Sequence, residues 1–225
     1  MYICRLFICL SMAVNELFEQ LDFVENPLYE KIIADLMDRQ YSIVDNFFPA
    51  EEVVALRNSL WEKYEEDRFK KAAIGNHFSE VIEKAVRGDF ILWLNEAGAN
   101  EAEEHFFNRI NDLIAYLNKT CFMGILEKEF HYAVYPQGTF YKRHLDTFQN
   151  DDRRKLSVVY YLNEEDWLPG YGGELVIYPN ESDRKPVTVY PFPGKMVIFE
   201  SQVLEHEVKT VERERLSITG WLKTR

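Results

Sequence analysis

His144 and Asp146 stand two positions apart in the run YKRHLD. On an extended strand, residues at that spacing project to one face and can reach a single ion. His206 follows 62 residues after His144, inside the run LEHEV, and offers a second imidazole. Two imidazoles and one carboxylate on one side of a metal leave the opposite coordination positions open, a facial arrangement that suits oxidative chemistry on iron. A basic residue, Arg215, lies nine residues beyond His206 on what reads as the next strand. A His-x-Asp pair alone is weak evidence, because short polar pairs usually sit on solvated loops. The surrounding sequence decides its weight.

Between the pair and His206 come three β-rich runs, KLSVVYYLN, YGGELVIYPN and PFPGKMVIFES. They are separated by Gly, Pro, Asn and Asp, as an antiparallel barrel or double sheet requires. In a jelly roll such strands return over one another, so residues far apart in sequence converge at one mouth. No helix follows Gly172-Gly173, so the pair is read as a bend allowing close backbone approach, not as a phosphate loop. Upstream, residues 14–39 carry a helical pattern broken at Asn26-Pro27, and YSIVDNFF reads as a strand entering a loop. Pro49 opens a helix with Val53, Leu56, Leu60, Trp61 and Tyr64 as its apolar stripe. After a polar connection, Phe90 to Leu94 predicts a short strand, and Glu101 to Leu117 a helix burying Phe106, Ile110, Leu113, Ile114 and Leu117. The expected fold class is α+β, a double-stranded β-helix (jelly roll) core at 126–225 with a helical N-terminal part and short strands at 1–125. The helices should pack on the outside of the sheet. A chain of 225 residues, 47% hydrophobic, is ample for one such domain.

In order along the chain run YP-x-G-x-x-Y-x-R-H-x-D, YYLN, GGEL, P-x-x-G-x-x-x-x-F, HEV and R-x-S-I-T-x-W, from Tyr135 to Trp221. The segment resembles the catalytic domain of the 2-oxoglutarate- and Fe(II)-dependent dioxygenases. Within them it is similar to the prolyl 4-hydroxylase branch, which includes the oxygen-sensing hydroxylases and their bacterial relatives. RGDFILWL, from Arg87 to Leu94, is a weaker upstream match. The resemblance implies that His144, Asp146 and His206 are iron ligands. It also implies that Arg215 holds the distal carboxylate of 2-oxoglutarate through a bidentate pair, with Tyr161 donating to the same carboxylate. Thr219 shares the strand face of Arg215, and Tyr135 and Tyr141 match the pocket tyrosines. For all three tyrosines the alternative is ordinary packing. For the substrate wall the resemblance implies Arg87, Asp89 and Trp93 over a peptide, Trp221 against a pyrrolidine ring, and Arg154 bonding a substrate carbonyl. Against that stand core tryptophans and a solvated DDRRK charge run. The implied cofactors are Fe(II), 2-oxoglutarate and O2, with L-ascorbate as reductant. The implied activity is C4 hydroxylation of a proline in an exposed loop of a protein substrate, releasing succinate and CO2. An oxygenase acting on a small molecule or free amino acid stays open. So does a non-catalytic sensor that holds the metal or the acid.

Acidic residues outnumber basic ones by 38 to 26, and the net charge of −12 argues against a nucleic-acid partner. Lys142, Arg143, Arg153, Arg154 and Lys155 nonetheless supply local positive charge. Cys4, Cys9 and Cys121 are too few and too irregular for a disulfide framework or thiolate zinc site, so a reducing cytoplasm is the expected compartment. The opening MYICRLFICLSMAV is short, is broken at Arg5 and lacks a convincing cleavage site. It is read as a start-site artefact preceding Met12, with a secretory signal as the alternative. No run approaches the roughly 18 apolar residues of a membrane span. His77 and His105 read as surface or packing residues, while His131, on the strand leading into Tyr135, could face the pocket.

Overall fold

The computed structural model describes residues 24–72, 86–147, 153–180 and 185–225. Cys4, Cys9, His77 and the Met12 start lie outside the described residues. Helix α1 (Pro27–Arg39) begins where the sequence breaks: the Asn26 side chain accepts from the Leu28 and Tyr29 amides, and Pro27 takes the first helical position. Strand β1 (Tyr41–Val44), helix α2 (Ala50–Glu65), strand β2 (Lys70–Lys71) and strand β3 (Phe90–Trp93) follow. Helix α3 (Glu101–Cys121) starts on a reciprocal capping box between Asn100 and Glu103. It runs one turn past the expected Leu117, to a left-handed Phe122, as the Asn118 side chain ties the chain down at Ile125. The remaining strands are β4 (Glu127–Tyr135), β5 (Tyr141–His144), β6 (Arg154–Tyr161), β7 (Leu175–Tyr178), β8 (Val187–Val189), β9 (Met196–Glu200), β10 (Glu205–Val208) and β11 (Arg215–Lys223). The sequence reading had not anticipated β8, and it took β2 for a polar connection. Both are too short to show a period.

The strands form two antiparallel sheets, ordered β1-β9-β6-β11-β4-β3-β2 and β5-β10-β7-β8. The three strands upstream of β4 thus flank the large sheet, β1 at one edge and β2 and β3 at the other. Alternation divides its central strands cleanly. Leu156, Val158 and Tyr160 of β6, and Leu216, Ile218 and Leu222 of β11, meet the helices in one core with Leu56, Leu60, Phe106 and Ile110. The opposite face packs Ala133, Tyr135, Val159, Tyr161 and Phe199 against Leu175, Ile177 and Val208 of the small sheet. Each large apolar side chain so buried contributes on the order of 1.5–3 kcal/mol. Gly220, on the helix side of β11, leaves room for the Phe130 ring, which a Cβ there would overlap. The jelly roll with helices outside its large sheet is therefore as expected, and the inner, odd-numbered positions of β4, β6 and β11 are left to line a site.

Candidate metal centre and co-substrate pocket

His144 closes strand β5 and pairs across the ladder with His206 on β10, which brings the imidazole centroids to 4.3 Å. Asp146 is not on the strand. It lies in the bend that follows, because β5 is an edge strand whose ladder ends at the His206–His144 pair. The bend turns the carboxylate inward, with Oδ1 3.4 Å from His144 Nε2 and Oδ2 3.5 Å from His206 Nε2. His144 Nδ1 faces the Lys142 carbonyl at 2.6 Å, and His206 Nδ1 faces that of Leu204 at 3.2 Å. A carbonyl can only accept, so each Nδ1 carries the proton and each Nε2 lone pair is left for a ligand.

Burial alone would raise the Asp146 carboxyl, but at the acid pH where it would take a proton the cationic forms of His206 and His144, with the Ser157 hydroxyl, which donates at 2.7 Å, hold it well below the usual range. Burial pushes His206 down to about 4, so it is neutral. Two imidazole lone pairs and an anion facing one another in a buried space repel unless a cation sits among them. One ligand atom from each of the three residues lies within 4.8 Å of the others. The donor set therefore fits a divalent metal, and its nitrogen-and-oxygen character with open positions fits Fe(II).

Arg215 opens β11 opposite Tyr135 and is 1% exposed. Its guanidinium carbon stands 4.9 Å from the Tyr135 ring centre and 5.0 Å from that of Tyr161, and its Nη1 donates to Ser217 Oγ at 3.3 Å. Among the described residues no carboxylate pairs with it, and neither Arg215 Nε nor Tyr161 Oη has a hydrogen-bond partner. Burial raises both tyrosines, so their hydroxyls are neutral donors. A buried arginine without an anion beside an idle phenol is the imprint of an acidic ligand. Gly173, with φ +70, makes the space: a Cβ there would stand 2.9 Å from Arg215 Cδ. Thr219 follows on the same face, with Oγ1 3.5 Å from Ser217 Oγ.

A cavity of about 520 Å³ joins the two groups, lined by residues of β3, β4 and β11 among others. Of the metal, co-substrate and substrate-wall candidates, all but Asp89 and Tyr161 line it, and so does His131. Arg87 is locked in a bidentate pair with Asp89 at 2.8 and 2.5 Å, and its cation stands 4.4 Å over the Tyr141 ring. Tyr141, pushed up to about 12 by burial, stacks on His144 at 3.6 Å. The Asp89–Arg87 pair thus braces a tyrosine against a metal-ligand candidate. Arg154 is likewise engaged: Nε and Nη2 donate to Glu129 Oε1 at 3.0 and 2.7 Å, and the guanidinium lies 3.6 Å over Trp221. Trp221 is buried, whereas Trp93 is 47% exposed and is no core residue.

Sequence reasoning missed Ser157, which orients Asp146, and Glu129, which holds Arg154. The signal for Ser157 was a polar residue at an inward position of an otherwise apolar run. Glu129 had no such signal, since only the β4–β11–β6 register brings it to Arg154.

The chain matches the 2OG-Fe(II) oxygenase superfamily over residues 130–223. It superposes on the crystal structure of a Pseudomonas putida prolyl-4-hydroxylase with TM-score 0.79 and 36% identity, covering 88% of this chain and 99% of that one. The chain belongs to the 2OG-Fe(II) oxygenase superfamily. A second similar structure is the Trichoplax adhaerens prolyl hydroxylase in complex with a hypoxia inducible factor oxygen degradation domain peptide fragment, with TM-score 0.79, 28% identity and coverage of 87% and 89%. Among curated relatives the chain is 28% identical to hypoxia-inducible factor prolyl hydroxylase of Caenorhabditis elegans, over 85% of this chain but only 28% of that relative's length. It is 26% identical to mouse prolyl hydroxylase EGLN3, over 88% of this chain and 84% of the relative.

Proposed function

We propose that this oxygenase hydroxylates C4 of a prolyl residue in an exposed loop of a protein substrate, with Fe(II) on His144, Asp146 and His206 and 2-oxoglutarate anchored on Arg215. The observation that carries the reading is the likeness to a prolyl-4-hydroxylase at 36% identity over 99% of that enzyme. Bound there, iron and 2-oxoglutarate supply the oxidising power: one atom of O2 enters succinate, CO2 leaves, and the other oxygen atom enters the substrate C–H bond.

The chain's own residues place and shield. Arg215 offers its fork to the distal carboxylate, and Tyr161 adds a neutral O–H in a water-poor pocket, where both bonds gain strength. Ser157 keeps Asp146 turned toward the imidazoles. Trp221, fixed under Arg154, gives a flat apolar surface for a pyrrolidine ring, and Trp93 forms the outer wall. Ascorbate is the reductant we expect to keep the iron ferrous. The compartment we propose is a reducing cytoplasm, which suits a free, exposed Cys121. Among the described residues no helix is long and apolar enough to cross a membrane.

The test is succinate release by the purified chain with Fe(II), ascorbate and 2-oxoglutarate, comparing prolyl peptides with free amino acids and small metabolites. Stimulation by peptides, abolished in His144→Ala and His206→Ala, is the expected result. Stimulation by metabolites alone would overturn the protein-substrate reading, and turnover surviving in either variant would overturn the metal assignment.

A further inference from the structure

Along the ladder of β4 with β11 the inward rungs run Tyr135–Arg215, Ala133–Ser217, His131–Thr219 and Glu129–Trp221. At about 6.7 Å per two-residue step, His131 lies roughly 13 Å along the sheet from the Arg215 rung and one step from Trp221. It belongs to the half of the cavity walled by tryptophans, where Trp93 stands edge-on to its ring at 4.9 Å and Trp221 lies at 5.6 Å. The imidazole is 3% exposed and lines the cavity, yet among the described residues its Nδ1 has no hydrogen-bond partner. Trp221 Nε1, on the next rung, is also buried and has no partner among the described residues. Unsatisfied polar atoms cost stability, and an apolar side chain would fill this position without that cost. Two of them on one wall call for a ligand.

The nearby charges are already balanced, Arg87 by Asp89 and Arg154 by Glu129. Burial first, then the Arg87 cation, pushes His131 down to about 3, so the ring is neutral and presents one donor and one acceptor. An indole N–H adds a donor. A neutral partner with both a donor and an acceptor matches this set, whereas a carboxylate or an ammonium does not.

We infer that His131 is a substrate-positioning residue that, beside the Trp221 indole N–H, hydrogen-bonds a main-chain amide group of the bound peptide next to the hydroxylated proline. The half-exposed Trp93, at the end of β3, stands edge-on to the imidazole as the outer wall of this part of the cavity. The inference rests on the protein-substrate reading above.

The experiment uses the metal-loaded full chain and an array of synthetic 15-residue peptides with a central proline, taking for kinetics the peptide that wild type turns over best. His131→Leu removes the hydrogen bond and keeps the bulk, while His131→Gln keeps a neutral donor and acceptor. In His131→Leu the peptide KM should rise about tenfold, the effect of one lost hydrogen bond, with the 2-oxoglutarate KM unmoved. Its Tm should rise by about 2–4 °C as the orphaned nitrogen disappears. His131→Gln should retain most of the peptide affinity. An unchanged peptide KM in His131→Leu, an equal rise in both variants, a parallel rise in the 2-oxoglutarate KM, or a fall in Tm would each overturn the assignment. A wild type that turns over no peptide but hydroxylates a metabolite fails at the earlier reading, so the two failures are distinct.

Discussion

Arg215→Lys keeps a positive charge in the pocket but replaces a planar fork with a single ammonium. A lysine cannot span both oxygens of a carboxylate from that strand position. The affinity for 2-oxoglutarate, measured by calorimetry on metal-loaded protein, should fall by about 1.5–3 kcal/mol, and equal affinity would mean that another residue binds the acid. The histidines make a second prediction at this scale. In the metal-free protein, burial holds His131 down to about 3 and His206 down to about 4. In the unfolded chain an imidazole titrates near 6.5, so between about pH 6.5 and pH 4 the unfolded state binds protons that the folded state refuses. Stability therefore falls as pH drops through that window, with each histidine contributing up to about 1.4 kcal/mol per pH unit. Urea unfolding of metal-free protein at pH 7 and pH 5 should show the loss, and His131→Leu should lessen it. A wild type equally stable at both values would contradict a buried neutral imidazole.

Strand β11 performs two jobs on its two faces, and single substitutions should separate them. Leu216 packs among the helix-facing residues, while its neighbours Arg215 and Ser217 face the cavity. Leu216→Ala should cost about 2–5 kcal/mol in urea unfolding while the folded protein binds 2-oxoglutarate as wild type does. A large loss of cofactor affinity would show that the two faces are coupled. The same alternation explains what could be read from the sequence. His144, His206 and Arg215 were legible through the chain order of R-H-x-D, HEV and R-x-S-I-T-x-W, and period two sets Arg215 and Ser217 on one face of β11. The strand placement of Asp146 was wrong because a two-residue spacing fits a bend as well as a strand, and only the length of the β5–β10 ladder chooses between them. The partners of Arg87 and Arg154 differ in kind. Asp89 lies two residues from Arg87, whereas Glu129 meets Arg154 through three strands whose register no local pattern records.

For the whole molecule, substrate identity is a question about other proteins. Comparing proteomes of cells carrying the wild-type chain with those carrying His144→Ala should reveal proline residues heavier by one oxygen atom only in the former. No such proline, alongside metabolite turnover by the purified enzyme, would remove the prolyl assignment and leave the oxygenase. Arg215, which pairs with no carboxylate among the described residues, has a further effect on the molecule as a whole. A charge closed off from water with no counter-ion weakens the fold, and the acid that neutralises it binds only the folded form. Co-substrate at a hundred times its dissociation constant should therefore stabilise the metal-loaded protein by about 2.7 kcal/mol, a rise that thermal denaturation can follow and that Arg215→Lys should blunt. If denaturation does not respond to 2-oxoglutarate, the buried cation is not its counter-charge. If it does respond, the acid governs the enzyme's lifetime as well as its turnover, since a cell short of 2-oxoglutarate would hold a larger unfolded fraction for its proteases to clear.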